Sequence, residues 1–235
     1  MAQFELLAER FRSALRLDGG DISAACRACV RVLPVQRVAI LVDEPYLGAQ
    51  PWSTSDAVTA RIEAVQTTVG EGPAFDAVVT GVPVAVADLA TDCERWPGFA
   101  AALRESGVVS AAASSPGAMV AVPLRLGLDR LGALDLYRSA PAPWGPAAVS
   151  AGRHIADILA AHLLSIAADP SASPPPLTSA VIHQAAGMMI SRGHPNPADA
   201  YRRLRVEALR RGLSLTEVAQ RIVDRRIRLE RGDIR

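Results

Sequence analysis

Apolar residues recur along the start of the chain with helical spacing and then with strand spacing. Phe4, Leu7, Phe11 and Leu15 fall on one face of a helix, and the apolar positions between Ile22 and Val32 do the same. Five short runs bounded by Gly, Pro or Asp and rich in β-branched residues predict strands: Arg37–Asp43, Ile62–Thr68, Val82–Asp88, Ala118–Leu126 and Arg130–Arg138. Between the last two, Gly127-Leu128-Asp129 signals a hairpin. The helical pieces GPAFDAVVTG and WPGFAAALRESG stand between strands, and PAAVSAGRHIADILAAHLLSI closes the region as a long helix. The expected fold of this part is α+β, an antiparallel-leaning sheet with helices on its faces.

The pattern then breaks. SIAADPSASPPPLTS, from Ser165 to Ser179, concentrates proline where neither a helix nor a sheet interior can continue. It predicts a linker over residues 167–178, stiffened where Pro174 to Pro176 favour polyproline II. Residues 1–166 form one expected domain and residues 179–235 another.

Past the linker the periodicity is helical throughout. A first helix is expected from an N-cap at Thr178 or Ser179 to Gly193, with Ile182, Ala185, Ala186 and Met189 as its buried stripe. Gly187 inside that helix predicts a second helix packed closely upon it. The next helix starts at Asn196 as N-cap, with Pro197 at the first position and Asp199 in the first turn, and ends at Gly212. Tyr201, Leu204 and Ala208 share its core face, Arg203 and Arg210 point nearly opposite, and Arg202 lies to one side. Arg205 falls beside the apolar stripe, so it is either paired with an acid such as Asp199 or Glu217, or partly buried and aimed outward. A third helix opens with Ser214 and Glu217 at capping-box spacing and buries Leu215, Val218, Ala219 and Ile222. Arg221, Arg225 and Arg228 cluster on its flank. Three short helices of this kind make an all-α three-helix bundle.

Charge sharpens the division. The chain of 235 residues has a net charge of +1, and all 25 of its basic residues are arginine. From Ser179 onward 12 arginines stand against six acids, which leaves −5 for everything before. Such asymmetry points to an anionic partner for the tail, against the plainer alternative of a solvated helical surface. No apolar run reaches the length of a membrane span, and the amphipathic start is not a signal peptide. Three cysteines are too few for a disulfide framework, which suits a cytoplasmic protein.

VGEGPAFDAVVTGVPVAVADL followed by WPGF, then AVPLRLG and RLGALDLY, resembles a GAF domain in the order and spacing of its elements, over roughly Met1 to Ile166. The resemblance implies a small-molecule sensor and dimerisation unit. The Asn-Lys-Phe-Asp-Glu set of cyclic-nucleotide-binding members is missing, and Cys93 is followed by Glu94 rather than the His of tetrapyrrole-binding relatives. No cofactor is predicted, and the ligand is left open. Asp88, Trp96 and Phe99 would cover a sensor pocket, or equally form plain core.

Gln184-Ala185 with Gly187, then Ala200, Leu204-Arg205, Ala208, Val218-Ala219 and Ile222-Val223, resemble an ANTAR domain, the RNA-binding module of transcription antitermination regulators. Ala186 stands where many members carry a lysine. The resemblance implies binding of paired RNA stem-loops in nascent transcripts by a homodimer, which keeps a terminator hairpin from forming. Arg202, Arg203 and Arg205, supported by Arg210 and Arg211, are the expected RNA contacts, meeting phosphates and unpaired loop bases. A small-molecule or redox signal in the first domain would act through the helix Pro146 to Ile166.

The remaining signals leave alternatives. Cys26 and Cys29 have C-x-x-C spacing, but with Cys93 and scattered histidines they do not make up a zinc ligand set; redox sensing or plain burial remain. His154 and His162 read as polar helix-surface residues, with haem ligation as the rival. No catalytic motif is present, although cysteine-based GAF enzymes exist. LSLTEVAQRIVDRR also resembles the opening of a helix-turn-helix, which keeps a DNA-binding regulator as the second reading.

Overall fold

The computed structural model describes residues 2–109, 116–168, 177–191 and 196–227. Its first unit comprises α1 (Ala2–Leu17), α2 (Ile22–Val32), β1 (Arg37–Glu44), β2 (Gly48–Thr54), α3 (Ala57–Val69), α4 (Pro73–Thr80), β3 (Val84–Val86), α5 (Pro97–Ser106), β4 (Ala118–Leu126), β5 (Asp129–Arg138) and α6 (Pro146–Ala167). Among the described residues the five strands form one sheet in the order β2-β1-β5-β4-β3. Every neighbouring pair is antiparallel. The hairpin signal at Gly127 joins β4 to β5 as expected.

One strand expectation is corrected. Ile62–Thr68 lies inside helix α3, and the missing strand is β2, Gly48–Thr54. Asp56 caps α3 by accepting the Thr59 N–H at 2.8 Å, and Gly70 ends it in the left-handed conformation. The buried positions Thr59, Ile62, Glu63, Gln66 and Thr67 recur with helical period, but polar members hide it from a purely apolar reading. In β2, Gln50 and Pro51 break the strand alternation; Pro51 is tolerated on an edge strand, beside the register shift at Ile40/Leu41.

Each face of the sheet has its own core. On one side Phe11, Cys26, Cys29, Ile40, Leu134, Leu136, Ile155 and Leu159 join α1, α2 and α6 to the strands. On the other Leu41, Ile62, Trp96, Phe99, Met119 and Tyr137 pack beneath α3, α4 and α5. Cys26, Cys29 and Cys93 are all buried, and burial pushes the thiols of Cys26 and Cys93 up to about 11 and that of Cys29 well above its ordinary value.

The second unit is α7 (Leu177–Ser191), α8 (Pro197–Arg211) and α9 (Leu215–Val223). Its core is the predicted one: Ile182, Ala185, Ala186, Met189, Tyr201, Leu204, Ala208, Leu215, Val218, Ala219 and Ile222. Asn196 caps α8 through the Asp199 N–H at 2.8 Å, Gly212 ends it, and Ser214 with Glu217 forms a complete capping box. Three details differ from expectation. Helix α7 begins at Leu177, so Thr178 and Ser179 lie within it. Gly187 is exposed with open space where a Cβ would stand, so among the described residues no helix packs on it. Arg225 lies past the end of α9 with φ 59°, while Gly193 and Arg228 fall outside the described residues.

Candidate nucleic-acid interface

Helix α8 carries all five arginines expected to meet RNA, and its two acids organise four of them. Asp199, in the first turn, accepts from Arg202 Nη2 at 2.6 Å and from Arg203 Nε at 3.1 Å. Glu207 accepts two bonds from Arg210, at 2.9 and 2.8 Å, and a further one from Arg211. Hydrogen bonding from Arg210 holds the buried Glu207 carboxyl below its ordinary value against the opposing effect of burial, and Arg211 adds to the lowering. Two carboxylates thus fix guanidinium planes while α8 keeps a surplus of positive charge. The side chains of Arg202 and Arg210 remain 59% and 65% exposed.

Arg205 is placed differently. It pairs with neither Asp199 nor Glu217 but reaches into the sheet unit, where Nη2 donates to the Leu47 carbonyl and Nε to the Thr67 carbonyl at 3.4 Å. It lies across Gly70, and burial lowers its pKa.

The contact around Arg205 joins the two units. Leu47, in the turn between β1 and β2, is 1% exposed and belongs to the hydrophobic core of the bundle. Burying a leucine this completely contributes about 1.5 to 3 kcal/mol. Beside it Tyr46, held at φ 68°, stacks on Tyr201 with centroids 6.0 Å apart and planes at 15°. His183 on α7 bridges the Glu44 carboxylate, 2.7 Å from Nε2, and the Tyr201 hydroxyl, 2.7 Å from Nδ1. The Leu215 N–H, one of the unpaired donors at the start of α9, donates to Thr68 Oγ1 at 3.0 Å. Two clefts flank this contact: one of about 380 Å³ lies between α3, α5 and the α8–α9 turn, and one of about 260 Å³ lies between β2, α3 and α7.

The expected sensor-pocket residues lie apart from both clefts. Trp96 and Phe99 are 4% and 0% exposed within the second core. Asp88 accepts the Ala90 N–H at 2.8 Å in a local turn, and none of the three lines either cleft. Among the described residues no group of three or more His, Cys, Asp or Glu could hold a metal, and no helix is long and apolar enough to cross a membrane.

Beneath α3 lies a polar cluster that the sequence reading passed over. Glu63 accepts from the Tyr137 hydroxyl and from Gln66 Nε2 at 2.8 Å, and Gln66 Nε2 also reaches Asp135 Oδ2 at 3.1 Å. Burial raises Glu63 to about 7, and burial with the nearby Glu63 charge raises Asp135 well above the carboxylate range. Asp135 shares the alternation of Ala133 and Tyr137 along β5. An acid among apolar inward positions was the available signal.

Comparison with known proteins matches the GAF domain family over residues 22–163 and the ANTAR domain over residues 177–223. Among solved structures, the GAF domain of an Acinetobacter phosphoenolpyruvate-protein phosphotransferase is similar over 73% of this chain and 98% of that one, at 13% identity and a TM-score of 0.52. That likeness shows a shared fold. The GAF domain of the phosphotransferase from Coxiella burnetii aligns over 70% of this chain and 92% of that one (14% identity, TM-score 0.49). A type II free methionine-R-sulfoxide reductase from Thermoplasma acidophilum aligns over 68% and 96% (20% identity, TM-score 0.46). No match was found among curated proteins.

Proposed function

Since the chain belongs to the GAF domain family and an ANTAR domain follows at residues 177–223, we propose that it is a signal-responsive regulator that binds paired stem-loops in nascent RNA and so prevents transcription termination. GAF domains are sensor modules and ANTAR domains are RNA-binding antitermination modules. The observation that carries the reading is the ANTAR match falling on a bundle whose α8 carries five arginines against two acids, four of the arginines outside the contact with the sheet unit. Unpaired loops offer phosphate oxygens to such guanidiniums and bases to flat side chains.

In this reading Arg202, Arg203, Arg210 and Arg211 clamp the RNA backbone, Arg205 joins them when it leaves the sheet unit, and the protein acts as a cytoplasmic homodimer. The signal is a small molecule met by the GAF unit. A redox signal through Cys26 and Cys29, or cysteine-based catalysis, fits less well, because buried thiols with raised pKa values supply little thiolate.

Sequencing the RNA that co-purifies with the protein tests the reading directly. A shared pair of adjacent stem-loops among the recovered transcripts, bound more tightly than duplex DNA of equal charge at the same salt, is the expected result. Equal or stronger binding to the duplex would replace it with the DNA-binding reading.

A further inference from the structure

We infer that the turn Glu44–Leu47 occupies the bundle's site for an unpaired RNA nucleotide, built from His183, Tyr201 and Arg205, so that the first unit holds the bundle closed by imitating its ligand. The inference rests on the RNA-binding reading above and adds which residues form the base site and what fills it.

Each chemical part of a nucleotide has a counterpart in the turn. The Tyr46 ring lies over Tyr201 at 6.0 Å and 15°, the offset-parallel geometry that a base takes on an aromatic platform. The Glu44 carboxylate sits 2.7 Å from His183 Nε2, as a phosphate oxygen would. The Leu47 carbonyl accepts from the Arg205 guanidinium, which is equally suited to a base carbonyl or a phosphate oxygen.

Two features mark the turn as a plug rather than ordinary packing. Tyr46 holds a left-handed backbone that a non-glycine residue adopts at a cost, and the residue stays 61% exposed although its ring is stacked. It therefore gains little from burial, and its ring stacks on Tyr201. Leu47, in contrast, is fully inserted and anchors the plug. RNA and turn cannot use Tyr201 and Arg205 together.

The test uses the full chain and a pool of RNAs carrying two adjacent stem-loops with randomised loops, beside an RNA duplex of equal length without loops. Two variants open the site: Tyr46→Gly, which removes the ring and suits the positive φ, and Leu47→Asp, which withdraws the anchor. Hydrogen exchange at the Leu215 amide reports whether the bundle has been released. Both variants are expected to speed that exchange and to tighten binding of the pool by about tenfold, the scale of one base–aromatic stack. Adding Tyr201→Ala should cancel the gain, whereas Tyr201→Phe, which keeps the ring, should retain most of it. The inference is overturned if exchange accelerates without a gain in affinity, if the gain survives Tyr201→Ala, or if neither variant accelerates exchange. A chain that in every form fails to prefer the looped pool over the duplex overturns the RNA reading itself, a separate outcome.

Discussion

Arg205 lies across Gly70, so close that a Cβ on the glycine would stand 3.0 Å from the guanidinium Nε. Gly70 closes α3 at φ 76°, a conformation that side chains of L-residues disfavour. One glycine therefore serves both the helix end and the approach of the neighbouring unit. Gly70→Ala should lower stability by about 1 to 2 kcal/mol through the backbone alone. It should also displace Arg205, seen as faster hydrogen exchange at Leu215. A urea midpoint unchanged from the parent chain would contradict this.

Thr68→Val keeps the shape of the side chain and removes the acceptor for the Leu215 N–H. A buried donor left without a partner costs about 1 to 3 kcal/mol. Because the bond joins the two units, the loss should appear as looser docking while the sheet's own amides keep their protection. Uniform loss of protection across both units would instead mean that the units unfold together.

Asp199→Asn removes the carboxylate charge that Arg202 and Arg203 share. The substitution removes a favourable acid from the first turn of α8 and should cost about 0.3 to 1 kcal/mol of stability. It should also strengthen RNA binding at low salt, with the gain fading as ionic strength rises. Titrations of a looped RNA at two salt concentrations separate these effects.

Stability should depend on pH through the buried acids. Glu63 and Asp135 hold their protons more tightly when folded, so the stability they contribute is present at low pH and is lost as the pH rises from about 4, the ordinary carboxyl range, through the folded value of about 7 for Glu63. Glu207 and Glu217, whose folded values are lowered, act in the opposite sense on the acid side, where their contribution disappears as the pH falls through those values. Urea midpoints should therefore decline between pH 5 and 8. Asp135→Asn, which mimics the protonated acid, should flatten that decline.

The thiols should be slow to react. Alkylation of the native chain at neutral pH is expected to be at least about tenfold slower than in denaturant, given burial and raised thiol pKa values. Serine at Cys26 or Cys93 should leave RNA affinity unchanged. A loss of affinity beyond that explained by a lower unfolding midpoint would revive a redox role.

The bundle was legible because its signals are local. Asn196, Pro197 and Gly212 bracket α8 within one stretch of chain, and Ser214 meets Glu217 three residues away. The sheet was read less well where local preference and tertiary burial disagree. The β-branched Ile62, Val65, Thr67 and Thr68 suggested a strand, but the buried face of α3 includes Glu63 and Gln66, whose partners Asp135 and Tyr137 lie far along the chain. The partners of Arg205 were beyond reach for the same reason: Leu47 and Thr67 stand 158 and 138 residues away. Periodicity placed Arg205 beside the apolar stripe, which was correct, and could not name what covers it.

Leu47 completes the interior of helices it does not belong to, and its position is set by the few residues between Glu44 and Gly48. That short hairpin is therefore a spacer of fixed reach. One residue more or fewer would miss the socket, so the length of a surface loop, usually free to vary, here sets how firmly the two units hold one another.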